Sequence, residues 1–167
     1  VIKIMQKGVP IYIGKLSAAQ LLILVSFDQW SEIKMSGYQR ELYKEKVREI
    51  RQYLEECAIP IIPALLASFR QGHYHQINDD YGTLEIPITP GSITLLDGQQ
   101  RTGGFEDIYN ALKELKNNTK GTTEKLEKYI QLINFEIPIV FIDSNKLSKK
   151  FITQNSKIHP IDVERAY

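Results

Sequence analysis

The chain has 167 residues, 43% of them hydrophobic and 25% charged, with a formal net charge of +1. That balance fits a globular domain with its own core and excludes a disordered tail; it also supplies no global positive field, so any DNA contact must come from a local patch. A single cysteine, Cys57, excludes an internal disulfide, and the longest apolar stretch, Leu21 to Phe27, is too short to span a membrane.

Val1-Ile2-Lys3-Ile4 lacks the charged start and long apolar centre of a signal peptide, so a cytoplasmic location is expected. Val9 to Gly14 reads as a strand, and Ser17 as the N-cap of a helix over Ala18 to Phe27. After a polar stretch from Asp28 to Gly37 comes a strong helix, Glu41 to Glu56, with Val47, Ile50, Leu54 and Cys57 along one stripe. That stripe places Cys57 in the core. Ile61 to Phe69 is predicted as a strand made irregular by Pro63. Gly72 to Gly82 reads as a polar loop and Leu84 to Ile88 as a short strand able to pair with it. Ile93 to Leu96 is a buried strand, and Phe105, Ile108, Leu112 and Leu115 mark a helix starting near Thr102 or Gly103. Asn117 to Thr123 is a linker and Glu124 to Leu132 a helix. Phe135 to Ile142 is a strand with so little charge that it belongs at the centre of a sheet. Asp143 or Ser144 then caps a helix carrying Leu147 and Phe151. This order predicts an α/β (α+β) fold, a mixed sheet flanked by helices. The chain starts without Met and stops at Ala166-Tyr167 within what reads as another helix. A single domain over residues 1–167, cut from a longer protein, is therefore expected.

The segment richest in chemistry is Asp97-Gly98-Gln99-Gln100-Arg101, set between the Ile93 strand and the helix that follows. A chain that turns at Gly98 and opens a helix leaves backbone N–H groups unpaired at the positive end of the helix dipole, which suits an anion. Arg101 adds a planar fork matched to phosphate oxygens. The alternative is a glycine turn whose Arg101 pairs with a structural carboxylate. Asp97 likewise has two roles open to it. It can hold Mg²⁺ or activate water as a catalytic residue, or it can cap its own turn by accepting from the Gln99 and Gln100 amides while orienting Arg101.

Upstream, Gly37-Tyr38-Gln39-Arg40 precedes the Glu41–Glu56 helix. Gly37 permits a positive-φ turn, and Arg40 at a helix start is disfavoured by the dipole unless it faces an anion. Convergence of Arg40 and Arg101 on one phosphate, with Gln39 adding a hydrogen bond, competes with Arg40 as a solvated residue or a partner of Asp97. Downstream, Asn155 and Lys157 offer an amide and a charge to a base or phosphate, or a plain helix C-cap with a solvated Lys. Lys146, Lys149 and Lys150 form a basic face suited to a DNA backbone, or simply a solvated one. No metal centre is predicted: His73 and His75 alternate in a loop without Cys or Asp partners, and His159 precedes Pro160.

Leu95-Leu96-Asp97-Gly98-Gln99-Gln100-Arg101, with Gly37-Tyr38-Gln39-Arg40 before it and Phe151-Ile152-Thr153-Gln154-Asn155-Ser156-Lys157 after it, resembles the signature of the DGQHR-domain family, which includes the DndB proteins of bacterial DNA phosphorothioation. Gln100 stands where most members carry His. The element order and the Gly-x-x-Arg turn are also similar to the ParB/sulfiredoxin superfamily, whose matching turn binds nucleotide phosphates. This chain departs from both branches, lacking the sulfiredoxin Cys and the Arg-rich run of ParB. The resemblance implies a DNA-associated regulator of a bacterial defence system with a nucleotide or phosphate pocket formed by Gly98, Gln99, Gln100, Arg101 and Thr102. It implies ATP or another nucleotide with Mg²⁺ as the cofactor, and DNA, modification-system proteins or a second copy of the chain as partners. The competing class is an enzyme, a weak nucleotide hydrolase or nuclease component acting through Asp97, Arg101 and Arg40.

Overall fold

The computed structural model describes residues 1–25, 37–117 and 123–146; for residues 37–42 it describes the backbone alone. The described residues form eleven elements and a turn of 3₁₀ helix, in order β1 (Ile2–Gln6), β2 (Val9–Ser17), α1 (Ala18–Leu24), α2 (Gly37–Glu56), β3 (Leu65–Phe69), β4 (His73–Gln76), β5 (Gly82–Glu85), β6 (Ile93–Asp97), α3 (Gln99–Asn117), α4 (Thr123–Ile133), β7 (Glu136–Asp143) and Ser144–Lys146. The fold is α+β, with a five-stranded mixed sheet in the order β1-β2-β7-β3-β6 and a two-stranded β4-β5 hairpin.

β7 lies at the middle of the sheet, as its lack of charge predicts. It pairs antiparallel with β2 and parallel with β3, and β3 pairs antiparallel with β6. Tyr12, Phe141, Ala67 and Leu95 align across four strands in this register, and all four are buried. They join Leu21, Leu54, Phe105, Ile108, Tyr129 and Ile133 from the helices in a single core cluster. Burying side chains of this size contributes about 1.5–3 kcal/mol each, which is what holds the helices on the sheet. Ser17 forms a full capping box with Gln20, its Oγ accepting from the Gln20 amide at 3.2 Å while Gln20 Oε1 accepts from the Ser17 amide at 2.9 Å.

Several boundaries differ from the sequence reading. β1 is an added edge strand, joined to β2 through Lys7 and Gly8, both at positive φ, which is the two-residue hairpin geometry. α1 stops at Leu24 because Val25 takes extended backbone and bridges to Ile93. The polar Gly72–Gly82 segment contains β4, which pairs with β5 as anticipated, although β5 ends at Glu85. The strand expected from Ile61 is shorter: residues 61–64 are irregular and β3 begins at Leu65, with a register shift between Leu66 and Ala67. Cys57 is half-buried just beyond α2. Two corrections bear on the site. α2 begins at Gly37, so Gly37 is helical instead of forming a positive-φ turn, and α3 begins at Gln99 instead of near Thr102.

Gly103 and Gly104 explain why α3 packs so closely on α2. A Cβ on Gly103 would lie 2.8 Å from Val47 Cγ2, and one on Gly104 would lie 2.7 Å from Ile50 Cγ2. Their low helix propensity is overridden by this contact. α2 is thereby held beside the first turns of α3, where the Asp97–Arg101 segment lies.

Candidate functional site

Strand β6 ends at Asp97, and the chain reverses at Gly98 with φ +95°. Only glycine fits there: besides the left-handed backbone, a Cβ would lie 2.2 Å from Leu65 Cδ2. α3 starts at once. The Thr102 amide donates to the Gly98 carbonyl at 3.0 Å, and Thr102 Oγ1 donates to the same oxygen at 3.0 Å. The amides of Gln99, Gln100 and Arg101 therefore form the orphan first turn of the helix and have no acceptor among the described residues. Gln99 folds its side chain back, Nε2 donating to the Leu95 carbonyl at 3.1 Å. Gln100 is half-buried.

Arg101 is held from three directions. Its Nη1 donates to the carbonyls of Pro63 at 2.9 Å and Ala64 at 3.2 Å, and its Nη2 donates to Asp97 Oδ2 at 2.8 Å. The side chain is 20% exposed and that of Asp97 53%. Asp97 thus orients Arg101, as one sequence reading has it, but its carboxylate makes no bond to the Gln99 or Gln100 amides. The helix begins too soon after the strand for that cap. Thr102 is fully buried and serves the turn through Gly98, so its side chain is not presented to a ligand.

α2 approaches the same turn. Tyr43 Oη donates to the Gln99 carbonyl at 3.4 Å, and Arg40 and Gln39 lie about one helical turn earlier on that helix; their side chains fall outside the described residues. Burial pushes the Tyr43 phenol up, with the Glu106 and Asp107 carboxylates adding to the rise. Tyr43, Lys44, Val47 and Arg48 of α2 face Gly103, Glu106 and Asp107 of α3 across a cleft of about 360 Å³. Burial, followed by the neighbouring Asp107, pushes the Glu106 carboxyl up, and Lys113 opposes the rise. Sequence reasoning missed this cleft: Glu106 and Asp107 occupy helical positions that read as solvated charge.

Of the downstream candidates, Lys146 is exposed at the end of the described 3₁₀ turn, and the neighbouring Asn145 amide donates to Asp143 Oδ1 at 2.9 Å. Lys149, Lys150, Asn155 and Lys157 lie outside the described residues. His73 and His75 stack edge-on at 4.5 Å on β4, with His75 Nε2 3.3 Å from Glu85 Oε2. Among the described residues no group of three or more His, Cys, Asp or Glu side chains is placed to hold a metal ion, and no helix is long and apolar enough to cross a membrane.

A sequence profile of the DndB family, described as DNA-sulfur modification-associated, matches residues 1–162. The chain belongs to the DndB family. The match takes in all three motif segments, so the turn, the start of α2 and the Asn155–Lys157 segment are all parts of a DndB-family domain. A search of curated proteins and a search of solved structures each return no match.

Proposed function

We propose that this DndB-family protein is a DNA-associated regulator in a DNA sulfur modification system, and that it takes a phosphate of a nucleotide or nucleic acid at the Asp97–Arg101 turn. The observation that carries the reading is the orphan first turn of α3. Three backbone amides stand at the positive end of a nineteen-residue helix, with the guanidinium of Arg101 fixed beside them. Arg101 keeps its Nε–H and one Nη2 proton for a ligand, since three of its five N–H groups are engaged. Arg40, at the adjoining end of α2, supplies a second cation. Pairing of Asp97 with Arg101 at 2.8 Å favours an orienting carboxylate over one that activates water, so regulation is preferred to hydrolysis.

Thermal-shift titration with ATP, GTP, CTP and inorganic tripolyphosphate tests the site. A ligand at one hundred times its Kd stabilises the protein by about 2.7 kcal/mol. In Arg101→Ala, measured against that variant's own midpoint, the tripolyphosphate shift disappears. A shift equal to that of the parent would refute the assignment. For the DNA role, Lys146, Lys149 and Lys150 are replaced together by Ala and duplex binding is followed against salt. The slope falls by roughly 2–3 units if all three meet phosphates, and an unchanged slope returns them to solvent.

A further inference from the structure

The cleft between α2 and α3 has charges of opposite sign on its two walls. Lys44 and Arg48, four residues apart on one face of α2, stand on one side; Glu106 and Asp107 of α3 stand on the other. None of the four makes an ion pair among the described residues. The opposite charges line one cleft without pairing across it: Lys44 and Arg48 are exposed, and the half-buried Glu106 has no protein donor among the described residues, so both walls are left to water or a ligand. Gly103 keeps the floor clear, because a Cβ there would lie 3.1 Å from Tyr43 Oη.

We propose that this cleft recognises a guanine base. An ionised carboxylate has two acceptor oxygens and binds best to two adjacent donors. Guanine presents N1–H and N2–H₂ side by side, and on the neighbouring edge it presents the O6 and N7 acceptors that arginine and lysine bind. Adenine and cytosine each carry one exocyclic amine without a second adjacent donor, and uracil carries a single ring N–H. The acidic wall thus takes N1 and N2, and the basic wall takes O6 and N7. A volume of about 360 Å³ is at the small end of ligand pockets and suits a nucleoside. Gln99, whose carbonyl Tyr43 holds, lies about 6 Å along the α3 axis from Gly103. A guanine in the cleft therefore leaves its phosphate near the orphan amides. Only this last point rests on the anion-site reading.

The test titrates the protein calorimetrically with guanosine, inosine, adenosine, cytidine and uridine, and separately with inorganic tripolyphosphate. Guanosine binds at least tenfold more tightly than adenosine, cytidine or uridine, and inosine falls between, having N1–H but no N2 amine. Glu106→Gln weakens guanosine at least tenfold, leaves tripolyphosphate affinity unchanged, and keeps or raises the thermal midpoint because it removes a poorly solvated charge. Arg48→Ala, at an exposed side chain, weakens guanosine as well. Equal binding of uridine and guanosine, or a guanosine affinity unmoved by Glu106→Gln, overturns the proposal. Loss of tripolyphosphate binding with guanosine binding intact sinks the turn reading and upholds this one; tripolyphosphate binding without guanosine binding does the reverse. A single strand with one deoxyguanosine binding more tightly than GMP assigns the base to DNA, and the opposite order assigns it to a free nucleotide; either result upholds guanine recognition.

Discussion

Replacing Arg101 with Ala separates a structural staple from a pure ligand group. Three donor bonds disappear, to Asp97 Oδ2 and to the carbonyls of Pro63 and Ala64. A hydrogen bond to a charged group is worth about 1.5–3 kcal/mol when both partners are dry. Here Pro63, Ala64 and Asp97 are exposed, so water re-solvates the abandoned acceptors, and an exposed ion pair contributes at most about 1 kcal/mol. The loss is therefore about 2 kcal/mol for the three bonds together, well below the dry-site figure. For a domain of this length that is roughly 4–8 °C in thermal midpoint.

Urea denaturation followed by circular dichroism, without ligand, measures that loss directly. Arg101→Lys keeps the charge but not the fork, so it recovers the Asp97 contact and at most one carbonyl, and it falls between parent and Ala. A double-mutant cycle with Asp97→Asn isolates the ion pair from the carbonyl bonds. If Arg101→Ala unfolds at the parent's urea midpoint, the three bonds contribute nothing in solution and Arg101 is available in full to a ligand.

Three further outcomes follow from the same geometry. Gly98→Ala costs at least about 2 kcal/mol in urea denaturation, because it adds positive-φ strain to a 2.2 Å approach to Leu65; a loss under about 0.5 kcal/mol would contradict the turn geometry. Asp97→Asn keeps the turn folded and leaves any nucleotide hydrolysis in place, since Asn retains an acceptor for Arg101; complete loss of hydrolysis in a stably folded variant would give Asp97 a chemical role. Burial pushes the Glu55 carboxyl up, but hydrogen bonds from Tyr129 at 2.6 Å and Arg51 at 3.0 Å outweigh it and hold the group below its ordinary value. Its contribution is thus complete above the unfolded carboxyl value of about 4.3 and is lost as pH falls through the folded one, so Glu55→Gln flattens the fall in stability between about pH 5 and pH 3; a parallel pH profile would refute this.

The sequence revealed what hydrophobic periodicity encodes. β7 was legible as a central strand because Ile137, Ile139 and Phe141 on one face and Pro138, Val140 and Ile142 on the other leave neither face polar, and the Ser17 cap was legible because its chemistry is local. β1 and β4 were not. Ile2–Gln6 is a short edge strand whose turn uses Lys7-Gly8 where Asn-Gly would be the stronger signal, and His73–Gln76 has no apolar alternation. The start of α3 was placed late because its apolar period opens at Phe105 and Gly103-Gly104 look like a break. Packing against Val47 and Ile50 reverses that local preference.

At the site the division is sharper. The motif marked the turn and its glycine and offered the Asp97–Arg101 pair as one of its readings, all within five residues. It did not identify Pro63 and Ala64, because backbone carbonyls carry no residue signature and these lie 38 and 37 positions away from Arg101. Those carbonyls shift the chemical weight of the motif. Asp97 and Thr102 work inward, on the guanidinium and on the Gly98 carbonyl, while the three amides without an acceptor among the described residues belong to the backbone and are independent of side-chain identity. Conservative exchanges at Gln99 and Gln100 should thus spare an anion site as long as the helix starts where it does. Changes at Gly98, which sets that start, should abolish it. The side chains able to discriminate one ligand from another must come from elsewhere, and α2, held against α3 by Gly103 and Gly104, is the element that reaches this turn.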